Sequence, residues 1–113
     1  MEIAEGKAGD ICTLSLTGRL DAYSAGELEK KLGSLTEAGN VRLVINMEKL
    51  EYISSSGLRV LLATLKKAKS LQGDVKLACL KPFIKEVFDI SGFTGLFNIS
   101  ETQEAAVGNF SGS

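Results

Sequence analysis

Leu50-Glu51-Tyr52-Ile53-Ser54-Ser55-Ser56-Gly57-Leu58 joins an apolar, β-branched run at residues 41–47 to a segment whose leucines recur at helical spacing. A buried strand passing directly into an amphipathic helix is the signature of an α/β unit. The helix is expected to begin near Ser56. Its first N–H groups lack intrahelical partners and form the positive end of the helix dipole, so three hydroxyls gather where an anion is welcome. Three roles are open to a serine there: helix cap, nucleophile, or acceptor of a phosphoryl group.

Working upstream, Cys12, Leu14 and Leu16 alternate within residues 11–17, the pattern of a half-buried strand. Residues 2–5 suit a short partner strand, turned back over residues 7–10. Gly18 is expected to break the strand, and Arg19-Leu20-Asp21 leads towards a helix over residues 24–38. Ser24 with Glu27 three residues on fits a capping box. Leu28, Leu32 and Leu35 give that helix its apolar stripe, and Gly39-Asn40 ends it.

Downstream, Leu58, Leu61, Leu62, Leu65 and Ala68 line one helix face, while Arg59, Lys66, Lys67 and Lys69 fall mainly on the solvated faces. Gly73-Asp74 turns into a strand at residues 75–80. Pro82 then opens a further helix anchored by Phe83, Val87, Phe88 and Ile90, with Ser91-Gly92 closing it. A short strand at 96–99, a helix at 101–107 and a loose tail at 108–113 complete the expectation. Strands alternate with helices after an initial hairpin, which argues for a mixed or largely parallel sheet in one domain spanning residues 1–113.

Composition narrows the function classes. The formal net charge of -1 gives no general electrostatic case for a nucleic-acid partner or an anionic membrane surface. No apolar run approaches the roughly 20 residues that span a bilayer, and Met1-Glu2-Ile3-Ala4-Glu5 lacks the features of a secretory signal, so no direct membrane insertion and a cytoplasmic location are expected. Cys12 and Cys79 match no paired metal or redox spacing and read as buried free thiols. There is no histidine, which removes the commonest general base, the commonest metal ligand and every Ser-His-Asp arrangement. No metal or other cofactor is expected.

Each role of the serine loop can now be weighed. As a cap, Ser55 or Ser56 would close the helix start, with Gly57 permitting close backbone packing. This accounts for one hydroxyl but not for three in succession. As a nucleophile, Ser55 would need glycine at position 53 to form a hydrolase elbow, and that position holds Ile53. A Ser-Lys pair needs a desolvated lysine and an oxyanion hole, and the sequence shows neither. The chain is therefore expected not to be an enzyme. Phosphoryl acceptance fits best, because a phosphoserine carries about -1.5 to -2 charges at neutral pH and a helix N-terminus tolerates an anion.

Four segments in order then make a family resemblance specific. They are Leu16-Thr17-Gly18-Arg19-Leu20-Asp21, the strand at 41–46, the stretch at 50–62, and Lys81-Pro82-Phe83-Ile84-Lys85-Glu86-Val87-Phe88-Asp89-Ile90-Ser91-Gly92. The chain resembles STAS-domain proteins, and within them the bacterial anti-sigma factor antagonists. The resemblance implies a mixed sheet of four or five strands with helices mainly on one side. It also implies binding to an anti-sigma factor with serine kinase activity, freeing the sigma factor, until phosphorylation switches the binding off. A PP2C-type phosphatase restores the binding form, and ATP and magnesium belong to the kinase.

In that family the loop typically reads Asp-Ser-Ser/Ala-Gly-Leu, with the serine after the aspartate phosphorylated. Carried over, Ser55 is the acceptor, followed by Ser56, Gly57 and Leu58, and Ser54 stands where the aspartate would be. A serine lacks the fixed charge of that aspartate, which leaves two consequences open: slower phosphorylation, or binding without phosphate control. The resemblance also places Asp21, and more weakly Tyr23 and Ser24, on the partner-binding face. The rival expectation is a STAS subunit of a transport-associated or other assembly that is not phospho-regulated.

Overall fold

The central strand at residues 41–47 continues well past its sequence-predicted end. In the computed structural model, which describes residues 1–111, β3 runs over Arg42–Ile53, and Leu43, Val44 and Ile45 are wholly buried. Its first half is covered on both faces, as a continuous apolar run requires. Beyond Met47 the buried positions fall three apart, at Met47, Leu50 and Ile53, instead of two. The pairing with β2 (Ile11–Leu20) explains this. Its register slips between Ser15 and Thr17 and again between Gly18 and Arg19, so β3 carries an extra residue at each irregularity. Each bulge re-aims the following side chains, which masks the period of two that marks a strand in sequence. Gly18, at φ 104°, lies within β2 and does not end it.

Among the described residues five strands form one sheet in the order β1-β2-β3-β4-β5. The edge strand β1 (Glu2–Ala8) is antiparallel to β2 and longer than expected, and the remaining pairings, through β4 (Asp74–Ala78) and β5 (Asn98–Ser100), are parallel. Helices α1 (Ala22–Glu37), α2 (Ser55–Ser70) and α3 (Pro82–Ile90) are the crossovers between successive parallel strands. Crossovers of one hand, made while the sheet grows in one direction, lie on one face. Leu28, Leu32, Leu61, Leu65, Ile84 and Phe88 accordingly share a core with Leu14, Leu16, Ile45 and Leu77.

The α3 anchors differ from expectation. Ile84 and Phe88, spaced four apart, are buried and Val87 is half-buried, whereas Phe83 and Ile90 are 51% and 79% exposed. The C-terminal segment also differs. Helix α4 extends over Gln103–Ser111, past the expected end at Val107, and residues 112–113 of the expected tail lie outside the described residues. Its Ala106 and Phe110 are buried against Ile11, Val44 and Ala78 on the opposite sheet face. The Arg42 guanidinium and Lys76 ammonium lie 5.4 and 4.7 Å from the Phe110 ring centre. This second layer also explains why the start of β2 is buried on both faces, where alternation suggested one.

Candidate functional site

Leu20 and Ile53, the last residues of β2 and β3, pair across neighbouring parallel strands. One residue beyond each stands a helix cap, Asp21 for α1 and Ser54 for α2. The two strand ends are joined by a hydrogen bond from the Ser54 N–H to the Leu20 carbonyl, 2.8 Å. Gly57 allows α2 to settle here, since a Cβ on it would lie 2.6 Å from Leu20 Cγ and 3.2 Å from Ile53 Cγ1. Leu58, 5% exposed, belongs to the core beneath the loop. Gly57 and Leu58 are thus buried and support the loop from below.

The three serines separate by role. Ser54 Oγ accepts a hydrogen bond from the Gly57 N–H at 3.1 Å, and the Ser54 carbonyl accepts one from the Leu58 N–H at 3.0 Å. The cap is therefore Ser54, where the sequence reading offered Ser55 or Ser56, and α2 begins one residue earlier than expected. A serine accepting from the third helical residue is the common capping arrangement, so the Ser54-x-x-Gly57 spacing carried the signal. Serine and aspartate cap comparably well. Ser54 therefore caps α2 without bringing a charge to its start. Ser55 is the first helical residue and exposed, while Ser56 is half-buried.

On the other helix start, Asp21 Oδ1 accepts from the Ser24 N–H at 3.0 Å, and Ser24 Oγ accepts from the Asp21 N–H at 2.9 Å. The Ser24 hydroxyl also lies 2.7 Å from the Arg19 carbonyl and 3.0 Å from Asp21 Oδ1, either of which can take its proton. A capping box is present as expected, but Asp21 is its cap and Ser24 its third helical residue, so α1 starts two residues earlier. Ser24 is 3% exposed and serves the turn. Hydrogen bonds from the Ser24 amide and hydroxyl hold the Asp21 carboxyl below its ordinary range, and the Arg19 charge adds in the same direction.

Around these caps the accessible groups include aromatic and basic side chains beside the Ser55 hydroxyl. Tyr23 is 82% exposed, and the Arg19 guanidinium lies 4.3 Å over the Tyr52 ring. This cation–π contact, which sequence reasoning missed, ties the ends of β2 and β3 on the surface. A groove of about 380 Å³ runs between the two helices from the serine loop, lined by Ala22, Gly26 and Glu29 of α1 and by Ser56, Arg59 and Val60 of α2.

The remaining chemistry is sparse. Among the described residues no three His, Cys, Asp or Glu side chains group to hold a metal ion. Cys12 is a buried free thiol and Cys79 a half-buried one, and burial pushes both thiols up, away from the reactive thiolate. No helix among the described residues is long and apolar enough to cross a membrane.

Comparison with known proteins places this geometry. Residues 3–106 match the family model of the STAS domain. The chain is 36% identical over 110 residues to "Putative anti-sigma factor antagonist BtrV" of Bordetella bronchiseptica, covering 97% of this chain and 95% of that one. It is 35% identical over 94 residues to the anti-sigma-B factor antagonist of Bacillus subtilis, covering 83% and 85%. Among solved structures, the unphosphorylated anti-sigma factor antagonist SpoIIAA superimposes with a TM-score of 0.86 over 99% of this chain and 98% of that one. The Bacillus cell fate determinant SpoIIAA in its phosphorylated form gives 0.77 over 96% and 99%. Both are 22% identical to this chain, so this likeness speaks for the fold.

Proposed function

The chain belongs to the STAS domain family, and from that premise we propose that it is an anti-sigma factor antagonist controlled at Ser55. In this reading residues 1–113 act as one unit in the cytoplasm. The unphosphorylated form binds an anti-sigma factor that is also a serine kinase, and the sigma factor is released. The names of the two curated relatives support the antagonist role. The observation that carries the choice of Ser55 is its position. It is the exposed hydroxyl of the three, on the first residue of α2, while Ser54 is engaged as the cap and Ser56 is half-buried.

The kinase would transfer the γ-phosphoryl group of ATP to Ser55 Oγ, forming the new O–P bond, releasing ADP and passing the hydroxyl proton to a base of the kinase. The product dianion sits at a helix N-terminus, where the fold tolerates it. A partner packed over the loop does not, because it must desolvate the phosphate and bring its own acidic groups close. A penalty of about 3 kcal/mol weakens binding on the order of 100-fold. A PP2C-type phosphatase returns the serine to its binding form. This chain acts throughout as substrate and ligand, not as catalyst.

The test mixes the protein with candidate anti-sigma kinases of its own genome, with and without Mg-ATP, following binding and site-resolved mass together. One phosphate on Ser55, absent in Ser55→Ala and accompanied by release of the kinase, is the expected result. Tight binding without phosphorylation would overturn the switch. Neither binding nor modification, with known pairs reacting as controls, would overturn the antagonist reading and favour membership of another assembly.

A further inference from the structure

We propose that Arg59 is the built-in counter-ion of phosphorylated Ser55, so that modification withdraws a cation from the groove between α1 and α2 as well as adding an anion to the loop. This inference rests on Ser55 as the modified residue.

Ser55 is the first residue of α2, and Arg59 follows at i+4, one turn later, where side chains lie about 5–6 Å apart at Cβ. Helical side chains lean towards the N-terminus, which aims the Arg59 stem at Ser55. An acidic group N-terminal to a basic one at this spacing is also the favoured orientation. Both residues are exposed, and among the described residues no ion pair is formed by Arg59.

Charge placement along α2 supports the same conclusion. Its last turn carries Lys67 and Lys69, which complement the negative end of the helix, but its first turn carries no acidic side chain. With a neutral cap at Ser54, the positive end stays uncompensated in the unmodified protein. A phosphoryl group on Ser55 supplies the missing charge, and the planar guanidinium of Arg59 can bind it through two parallel N–H donors. The charged side chains on the adjoining elements include Arg19 on β2, Asp21 just past its end, Glu29 on α1 and Glu51 on β3. Ser56, Gly57 and Leu58, between the two partners, are uncharged.

Before modification Arg59 and Glu29 line the groove from opposite helices. Once Arg59 turns to the phosphate, Glu29 loses its opposing cation at the loop end of the groove and keeps only Lys67, further along α2. A partner element that presents a carboxylate to Arg59 would meet acidic charge in its place.

Phosphoserine can be installed at position 55 during translation, without a kinase, in the native chain, in Arg59→Gln and in Arg59→Lys. Titration of the phosphorus NMR signal reads the second ionisation of the phosphate, and circular dichroism confirms that each protein is folded. The native protein should lose its second phosphate proton about half a pH unit below Arg59→Gln, with Arg59→Lys between them, because a nearby cation favours the dianion. Coincident curves for the native protein and Arg59→Gln would overturn the proposal. A kinase that ignores Ser55 would defeat the functional reading alone, because this titration needs no kinase.

Discussion

Helices α1 and α2 leave the sheet in the same way and differ in charge. Each starts two residues after the end of a strand, the two strand ends are paired, and each intervening residue is a side-chain cap. At α1 the cap is Asp21, an anion held low by Ser24 and closed into a reciprocal box. At α2 the cap is Ser54, neutral, followed by an exposed hydroxyl and, one turn on, an arginine. The first helix start carries a permanent negative charge. The second has its cap but no charge, so a phosphoryl group on Ser55 would bring the first anion to that helix start.

The comparison breaks most completely at the support that both helix starts share. Leu20 is wholly buried and packs beneath Gly57. Leu20→Ala should cost about 3 kcal/mol through the cavity it leaves, and Gly57→Ala about 2 kcal/mol through overpacking against Leu20. Urea denaturation measures both. A loss below about 0.5 kcal/mol for Leu20→Ala would mean that the two strand ends are not held through this contact.

A smaller effect separates cap from charge at α2. Ser54→Ala should destabilise by about 1 kcal/mol, whereas Ser54→Asp should leave stability unchanged or slightly raised, because it keeps the acceptor and adds an anion at a helix start. Thermal unfolding near neutral pH distinguishes the two. If Ser54→Ala and Ser54→Asp lose stability equally, the capping bond to Gly57 is not the reason for Ser54.

The smallest effect is the pH dependence that α1 has and α2 lacks. Because folding lowers the Asp21 carboxyl, the stability it contributes is complete above its unfolded value, 3.8, and is lost as the pH falls through the lower folded value. Asp21→Asn should therefore be less stable than the native protein at pH 7, with the difference fading below pH 3.8. The gap between native protein and Ser54→Ala should stay constant over that range. Parallel denaturation curves at pH 7 and at acid pH make the comparison.

Much of this arrangement was legible in the residues. The β-branched run at 41–47, the leucine stripes, Pro82 and the serine triplet located the strands, the crossovers and the loop. What stayed hidden was non-local or broke a simple period. The two bulges in β3 replaced alternation by a spacing of three, so the strand ended too early in the reading. Both helices start earlier than the spacing of Ser24 and of Ser55-Ser56 suggests, because Asp21 and Ser54, just past the strand ends, are the caps. Phe110 looked like part of a tail because nothing local shows that Arg42, Lys76 and the far sheet face await it. The contact of Gly57 with Leu20 joins residues far apart in sequence. Close packing at this glycine is expected from the sequence, but only the fold shows that the neighbours are the Leu20 and Ile53 side chains.

The central claim is that a neutral Ser55 permits partner binding and a phosphorylated one prevents it. Isothermal titration of one cognate anti-sigma factor with the unmodified protein, and with protein carrying phosphoserine at position 55, tests it directly. A Kd about 100-fold weaker for the phosphorylated form is the predicted result. Equal Kd values for the two forms would contradict it.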